Sequence, residues 1–192
     1  MHRSLFRAGR AATVAIAMVL ASATIADASE GDGGRVLIKD ECDPATFNAV
    51  IGPGTCVGDG DVTFSEFIAE LREDRAIDEW AFDPDELEVA AGRSVVVKNV
   101  GGETHTFTRV AQFGPGFVQP LNDLVFGPGA VPLPEFTPDA TGRFPAGINF
   151  VPSGGTLTLP TAATPLRLGK NRFQCGIHPW MRAVIEVRSG SD

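Results

Sequence analysis

From Trp80 onwards, short runs of apolar residues separated by turn residues predict an all-β architecture. A valine-rich run predicts a strand over residues 94–100, and Gly101-Gly102 then predicts a turn. Further strands are predicted around residues 82–89 and over 106–110, 148–151, 156–159, 166–174 and 183–188. About seven short strands with turn signals between them are typical of an antiparallel β-sandwich.

The chain ahead of the β region opens with a predicted export signal. Residues 1–28 join a basic head to an apolar run that is shorter than the about 20 residues of a membrane span. Ala26-Asp27-Ala28 fits a cleavage site, which predicts a signal peptide cut near Ala28. Thr24-Ile25-Ala26 is a second possible cut, and an uncleaved anchor is the alternative. The mature protein is expected to be periplasmic or secreted, without stable insertion in a membrane.

Residues 29–79 are predicted to form an N-terminal extension before the domain at 80–192. Residues 29–60 are rich in Gly, Asp and Pro and are expected to be irregular. Thr63 and Glu66 match a capping box, and the apolar residues that follow at helical spacing predict a helix over 64–78. Inside the β domain, residues 112–147 contain 6 Gly and 7 Pro, which predicts an insert with little strand.

The net charge and the cysteine count limit which classes of function the chain can have. The net charge of −8 argues against a nucleic-acid-binding protein, which needs a basic surface. Three cysteines in an exported chain leave one of them unpaired. The simplest pairing is a disulfide between Cys42 and Cys56, which lie 14 residues apart, and Cys175 is then a free thiol.

The free thiol lies in a motif with metal-binding side chains. Cys175, His178 and Met181 have the spacing Cys-x-x-His-x-x-Met, and His105 is the other histidine beyond the signal peptide. Two imidazoles, a thiolate and a weak thioether are the ligand set of an electron-transfer copper site. We therefore predict one copper ion in a type 1 site. Zinc is the alternative metal, although structural zinc sites favour a closed set of Cys and His.

With a histidine after one strand and the Cys-x-x-His-x-x-Met motif between the last two, residues 80–190 resemble the cupredoxins. These are small exported type 1 copper proteins such as plastocyanin, azurin and amicyanin, and the chain is also similar to bacterial proteins with a cupredoxin domain. The loop from Cys175 to Met181, with Pro179 after the histidine, looks most like that of amicyanin. The resemblance implies a Greek-key β-sandwich with copper at one end. Thr106 stands where plastocyanin and azurin have Asn, which helps to hold the cysteine loop, and the Thr106 hydroxyl is expected to donate a hydrogen bond in the same way.

The leading functional hypothesis is a one-electron carrier that meets a transient redox partner protein. The alternative is periplasmic copper storage or delivery, and a third possibility is a metal-free interaction domain. An enzyme is not expected, because the sequence offers no second metal cluster and no Ser/His/Asp or paired-carboxylate site. Electrons are predicted to leave through His178, whose ring edge is expected to reach the surface in an apolar patch with Pro179 and Trp180.

Overall fold

The structure is a computed structural model that describes residues 33–189. The predicted signal peptide, residues 1–28, and its cleavage near Ala28 lie outside the described residues. Within 33–189, no helix combines the length and the apolar character that crossing a membrane requires.

Two four-stranded sheets form the body of the described chain. In spatial order, the first sheet contains β2 (Ala81–Asp83), β1 (Gly34–Lys39), β4 (Val95–Asn99) and β8 (Thr156–Leu159). The second contains β3 (Glu86–Ala90), β10 (Arg182–Arg188), β9 (Gly169–Gln174) and β6 (Thr108–Val110). A separate short pair joins β5 (His105–Thr106) to β7 (Phe150–Val151). The predicted all-β sandwich is therefore confirmed.

Side chains from both sheets meet in one hydrophobic core. Val36 and Val97 come from the first sheet, and Phe173 and Ile185 come from the second. Phe107, between β5 and β6, stacks on Phe173 with ring centroids 4.5 Å apart. The strand pairs are mostly antiparallel as expected, but β1 pairs with β4 and β3 pairs with β10 in parallel. Burial of these side chains drives the assembly, at about 25 cal/mol for each Å² of apolar surface.

The irregular lead-in predicted for residues 29–60 is wrong over its described part. Strand β1 hydrogen-bonds to β2 and β4 inside the first sheet, and helix α1 (Pro44–Val50) follows it. Asp43 caps α1 by accepting a hydrogen bond from the Thr46 amide at 2.8 Å. The disulfide between Cys42 and Cys56 is confirmed, and Cys175 is free and buried.

The helix predicted over residues 64–78 is confirmed as α2 (Phe64–Asp74). Both hydrogen bonds of the capping box between Thr63 and Glu66 are present, and they satisfy amides that the first turn leaves free. The helix ends earlier than predicted, because Arg75 adopts a left-handed conformation with φ of 62°. Its inward face, Phe67 and Leu71, packs into the core.

The insert at residues 112–147 contains no strand, as predicted, but it is structured by helix α3 (Gln119–Phe126) and a 3₁₀ turn (Pro134–Phe136). Its first residues run beside the end of β9. The Gln174 side chain makes two hydrogen bonds to the backbone of Gly114, at 3.0 and 2.6 Å, and the Phe117 amide donates to the Gly176 carbonyl at 2.8 Å. The insert therefore supports the segment that carries the predicted ligands.

Candidate metal centre

The segment between β9 and β10, residues 175–181, is a tight loop closed by its own backbone. The Cys175 amide donates to the Met181 carbonyl, and the Met181 amide donates to the His178 carbonyl, each at 3.0 Å. We call residues 175–181 the ligand loop. His105 begins β5 and is far away in sequence, but it meets the ligand loop in space.

Three of the four predicted ligands form a buried triangle. The Cys175 Sγ lies 3.9 Å from the Nδ1 of His105 and 3.9 Å from the Nδ1 of His178. The two Nδ1 atoms are 3.2 Å apart. All three side chains are buried. Thiolate and imidazole are the donor types that copper and zinc sites use, so this group could hold such an ion.

The dimensions of this triangle fit a first-row metal ion. Imidazole nitrogens bind such an ion at about 2.0–2.1 Å, and thiolate sulfur binds it at about 2.3 Å, as known for zinc. The point in the plane of the triangle about 2.0 Å from both nitrogens is about 2.4 Å from the sulfur, which agrees with those bond lengths. The residues present therefore fit a metal bound by two imidazoles and one thiolate.

Met181, the fourth predicted ligand, lies at the end of the same loop. Its side chain is 1% exposed and belongs to the core. The backbone hydrogen bonds given above fix its main chain next to Cys175 and His178. Its role as an axial ligand stays a prediction.

Hydrogen bonds around the sulfur hold it in place. The amides of Thr106 and His178 point at Cys175 Sγ from 3.4 and 3.5 Å. The Thr106 hydroxyl accepts a hydrogen bond from the Gly176 amide at 2.7 Å. Thr106 therefore binds the ligand loop, but the hydroxyl does not donate as expected: it accepts a hydrogen bond, and the backbone amide is the donor. Amides directed at a thiolate tune the electron density of a metal-bound sulfur.

Mutual contact shifts the ionisation of the cluster. Burial alone would raise the pKa of the Cys175 thiol, but the hydrogen bonds and positive charges of His105 and His178 hold that pKa well below its usual value. Burial alone would lower the pKa of His105, but Asp40 and Cys175 outweigh burial and raise that pKa to about 9. The metal-free cluster therefore favours a thiolate, which is the form that binds metals.

Two buried carboxylates flank the imidazoles, and the sequence analysis missed both. Asp40 Oδ2 lies 2.8 Å from His105 Nε2, and Glu103 Oε2 lies 3.5 Å from His178 Nε2. Burial alone would raise the pKa of Asp40, but His105 and nearby amides lower it. Each imidazole thus faces the thiolate through Nδ1 and a carboxylate through Nε2.

His178 does not reach the surface, so the predicted exposure of its ring is wrong. Its residue exposure is 2%, and Pro179 beside it is also buried. Phe67 of α2 and Trp180 pack against the His178 ring, with centroids 6.2 and 5.3 Å away. Trp180 is half-buried and in turn packs on Phe67 at 5.9 Å. The helix of the N-terminal extension therefore covers the side of the site that we expected to be open.

A surface pocket of about 510 Å³ has both His178 and Phe67 in its lining. Its walls come from α1, α2 and α3, which contribute mostly apolar side chains, and His178 and Glu103 are among its polar lining residues. Ile51 lies on the pocket wall and is 54% exposed. His178 is a lining residue of this pocket, but its side chain is only 3% exposed, so the ring stays covered.

Comparison with known proteins gives similarity in structure only. No family model matches the sequence, and no curated protein matches it. The structure is similar to a purple cupredoxin from Nitrosopumilus maritimus, with 14% identity over 80% of this chain and 98% of that chain and a TM-score of 0.38. It is also similar to oxidised plastocyanin from Dryopteris crassirhizoma, with 14% identity over 81% of this chain and 100% of that chain and a TM-score of 0.37.

A third similar structure is a mutant of amicyanin with Cu(I), with 18% identity, coverage of 60% of this chain and 84% of that chain, and a TM-score of 0.35. The metal assignment depends on the ligand geometry described above and not on these similarities. The solved structures named here, to which this chain is similar, are cupredoxins.

Proposed function

We propose that this chain is an exported type 1 copper protein that carries single electrons to and from a transient redox partner. His105, Cys175 and His178 would hold one copper ion, with Met181 as a weak fourth ligand. The observation that carries the proposal is the buried triangle of Sγ and two Nδ1 atoms. When bound, copper supplies a one-electron couple, and the protein supplies a fixed and dry set of ligands.

Rigid and buried donors favour electron transfer over catalysis at this site. A catalytic metal site keeps a position open for water or substrate. Here the three donor side chains are buried, and hydrogen bonds within the ligand loop and from Thr106 hold them in place. A site that is already fixed needs little rearrangement when the charge on the metal changes. We therefore propose a carrier rather than an enzyme.

The same burial argues against copper storage or delivery as the main role. A protein that passes its metal to another protein needs donors that a competing ligand can reach. His178 is covered by Phe67 and Trp180, and His105 has no exposed side-chain surface. Fast exchange of copper with a second protein would therefore require the cover to open.

The pocket at His178 supports a route for the electron. We propose that the redox partner approaches over this pocket, because His178 is the proposed ligand that lines it. Ile51→Glu places a charge on the pocket wall at an exposed position, and it should slow electron self-exchange between the copper(I) and copper(II) forms, measured by NMR line broadening. Leu168→Glu is the matched control, because Leu168 is 68% exposed and precedes β9, at the end of that strand remote from Cys175. Equal rates in both variants would contradict this route.

The copper assignment is tested by absorption spectroscopy of the copper-loaded protein. A thiolate bound to copper(II) should give an intense visible charge-transfer band, and Cys175→Ala should abolish it. Persistence of the band in Cys175→Ala would overturn the ligand assignment, and its absence from the loaded wild type would overturn the proposed function. Repeated reduction and oxidation without loss of metal separates a carrier from a storage protein.

A further inference from the structure

Each imidazole of the candidate metal centre has a buried carboxylate behind it. The pair formed by His105 and Asp40 has no side-chain exposure at either partner. In the pair formed by His178 and Glu103, the side chains are 3% and 6% exposed. Polar groups are seldom buried to this extent without a partner that repays the loss of water. In each of these two pairs, the imidazole and the carboxylate are therefore the polar partners that make burial of the other possible.

The carboxylates are themselves held in position. Asp40 accepts hydrogen bonds from the amides of Gly102 and Glu103 at 2.9 and 3.1 Å. Glu103 accepts a hydrogen bond from the indole N–H of the buried Trp80 at 2.7 Å. Trp80 is fixed in turn by stacking on Phe47 of α1, with centroids 5.9 Å apart. Neither carboxylate can turn away from its imidazole without breaking these bonds.

Two glycines, Gly101 and Gly102, let the backbone of the turn before His105 pass close to Asp40 and Cys42. A Cβ atom at Gly101 would lie 1.9 Å from the Asp40 Oδ2, so a side chain there would collide with the carboxylate. A Cβ at Gly102 would lie 2.7 Å from Cys42 Sγ. The glycine pair just before His105 therefore permits the N-terminal extension to approach the ligand closely.

From this geometry we propose that Asp40 and Glu103 are positioning residues of the copper site. Asp40 is placed to accept the N–H of His105 Nε2, and Glu103 pairs with His178 Nε2 across 3.5 Å. These contacts leave each Nδ1 free to face the metal and orient the rings. Together they also place negative charge beside the metal, which stabilises copper(II) more than copper(I). This inference rests on the proposed copper function and adds to it the residues that set ring orientation and reduction potential.

Isosteric variants test the proposal. Asp40→Asn and Glu103→Gln keep the shape but remove the charge, and each should weaken copper(II) affinity by about 10–100-fold. Each should also move the reduction potential to more positive values. Glu88→Gln is the matched control, because Glu88 is an exposed carboxylate on β3 that pairs with Arg188. It should change neither quantity.

Two further measurements separate positioning from simple support of the fold. Trp80→Phe keeps a buried ring but removes the hydrogen bond to Glu103, and it should raise the potential less than Glu103→Gln does. In the copper(I) protein, ¹⁵N NMR of the histidines should show Nε2 protonated and Nδ1 metal-bound at both rings. Metal bound through Nε2 at either ring would overturn the proposal.

The failure of this inference is distinct from failure of the proposed function. If loaded wild-type protein lacks the thiolate-to-copper band, the copper function itself fails. If that band is present, and Asp40→Asn and Glu103→Gln lower unfolding stability but leave the potential, the affinity and the NMR pattern unchanged, only the positioning role is overturned.

Discussion

The ligand loop and the amino-terminal segment, residues 33–79, serve the same site in different ways. The loop carries three of the four proposed ligands within seven residues. The amino-terminal segment carries none of them, but it supplies Asp40 behind His105 and Phe67 over His178. The difference teaches that local spacing encodes three of the proposed ligands, whereas the polarity and accessibility of the site come from residues distant in sequence.

Removing the disulfide tests how independent these regions are, and it should give the largest change. Replacing both Cys42 and Cys56 by Ser removes a cross-link between residues 14 positions apart. The unfolding free energy should fall by about 3 kcal/mol, the value for a loop of this size. Urea unfolding of the metal-free protein measures this loss. The disulfide segment also contacts the turn before His105, since the backbones of Cys56 and Glu103 form an isolated antiparallel β-bridge.

The control for that experiment is Val57→Ala, which shortens an exposed side chain next to the disulfide. The thiolate-to-copper band should survive in the double Ser variant, because Cys175 is a separate, free thiol. Complete loss of the band there would mean that the amino-terminal segment is needed for metal binding itself.

The pH dependence of the metal-free protein sharpens the comparison, because Asp40 of the segment and Cys175 of the loop act on the same histidine. The pKa of His105 is raised to about 9, so its contribution to stability is complete below its ordinary pKa of 6.5 and is lost as pH rises through 9. The pKa of Cys175 is lowered, so its contribution is present above its ordinary pKa of 9.0 and is lost as pH falls through the lowered value.

Between pH 6.5 and 9 these two contributions have opposite slopes, and the unfolding free energy of the metal-free wild type should be nearly flat. Cys175→Ser removes the contribution of the thiolate to stability and leaves Asp40 beside His105. Its stability should then fall as pH rises above 6.5, by no more than about 1.4 kcal/mol per pH unit. Denaturant titrations at several pH values measure this slope, and a rise with pH in the variant would contradict it.

Met181→Leu should give the smallest change in stability. It tests the thioether at the end of the ligand loop separately from the other three ligands. A thioether is a weak axial ligand, so the variant should keep copper and shift its reduction potential upward. The swap nearly conserves volume at a buried position, so the unfolding free energy should change by less than about 1.5 kcal/mol. Voltammetry and metal analysis measure both effects. Full loss of copper would show that Met181 holds the metal rather than tunes it.

Local signals made most of the sandwich and α2 predictable from the sequence. The bounds of β8 agree with the predicted 156–159, and the capping box marked the start of α2. Strand β1 was missed because its parallel pairing with β4 joins residues about sixty positions apart, which no local pattern records. Helix α1 did have a signal, since Asp43 followed by Pro44 is a cap followed by a residue favoured in the first turn.

For the site, the sequence identified the donors but not their surroundings. The spacing of Cys175, His178 and Met181 is local, so the motif could be found without a fold. Asp40 and Glu103 are two of 24 acidic residues, and only the folded chain singles them out by bringing them to the imidazoles. The expected exposure of His178 was wrong because the covering ring, Phe67, comes from a region without a counterpart in the resemblance.

The aromatic cover over His178 has a consequence for the lifetime of the bound metal. A chelator in solution cannot reach the buried donors while Phe67 and Trp180 lie against the His178 ring. Release must then follow a local opening of α2, whose frequency is set by the stability of that helix on the sandwich. At saturating chelator, copper should leave at a rate independent of chelator concentration, and this rate is a direct reading of how often the protein opens.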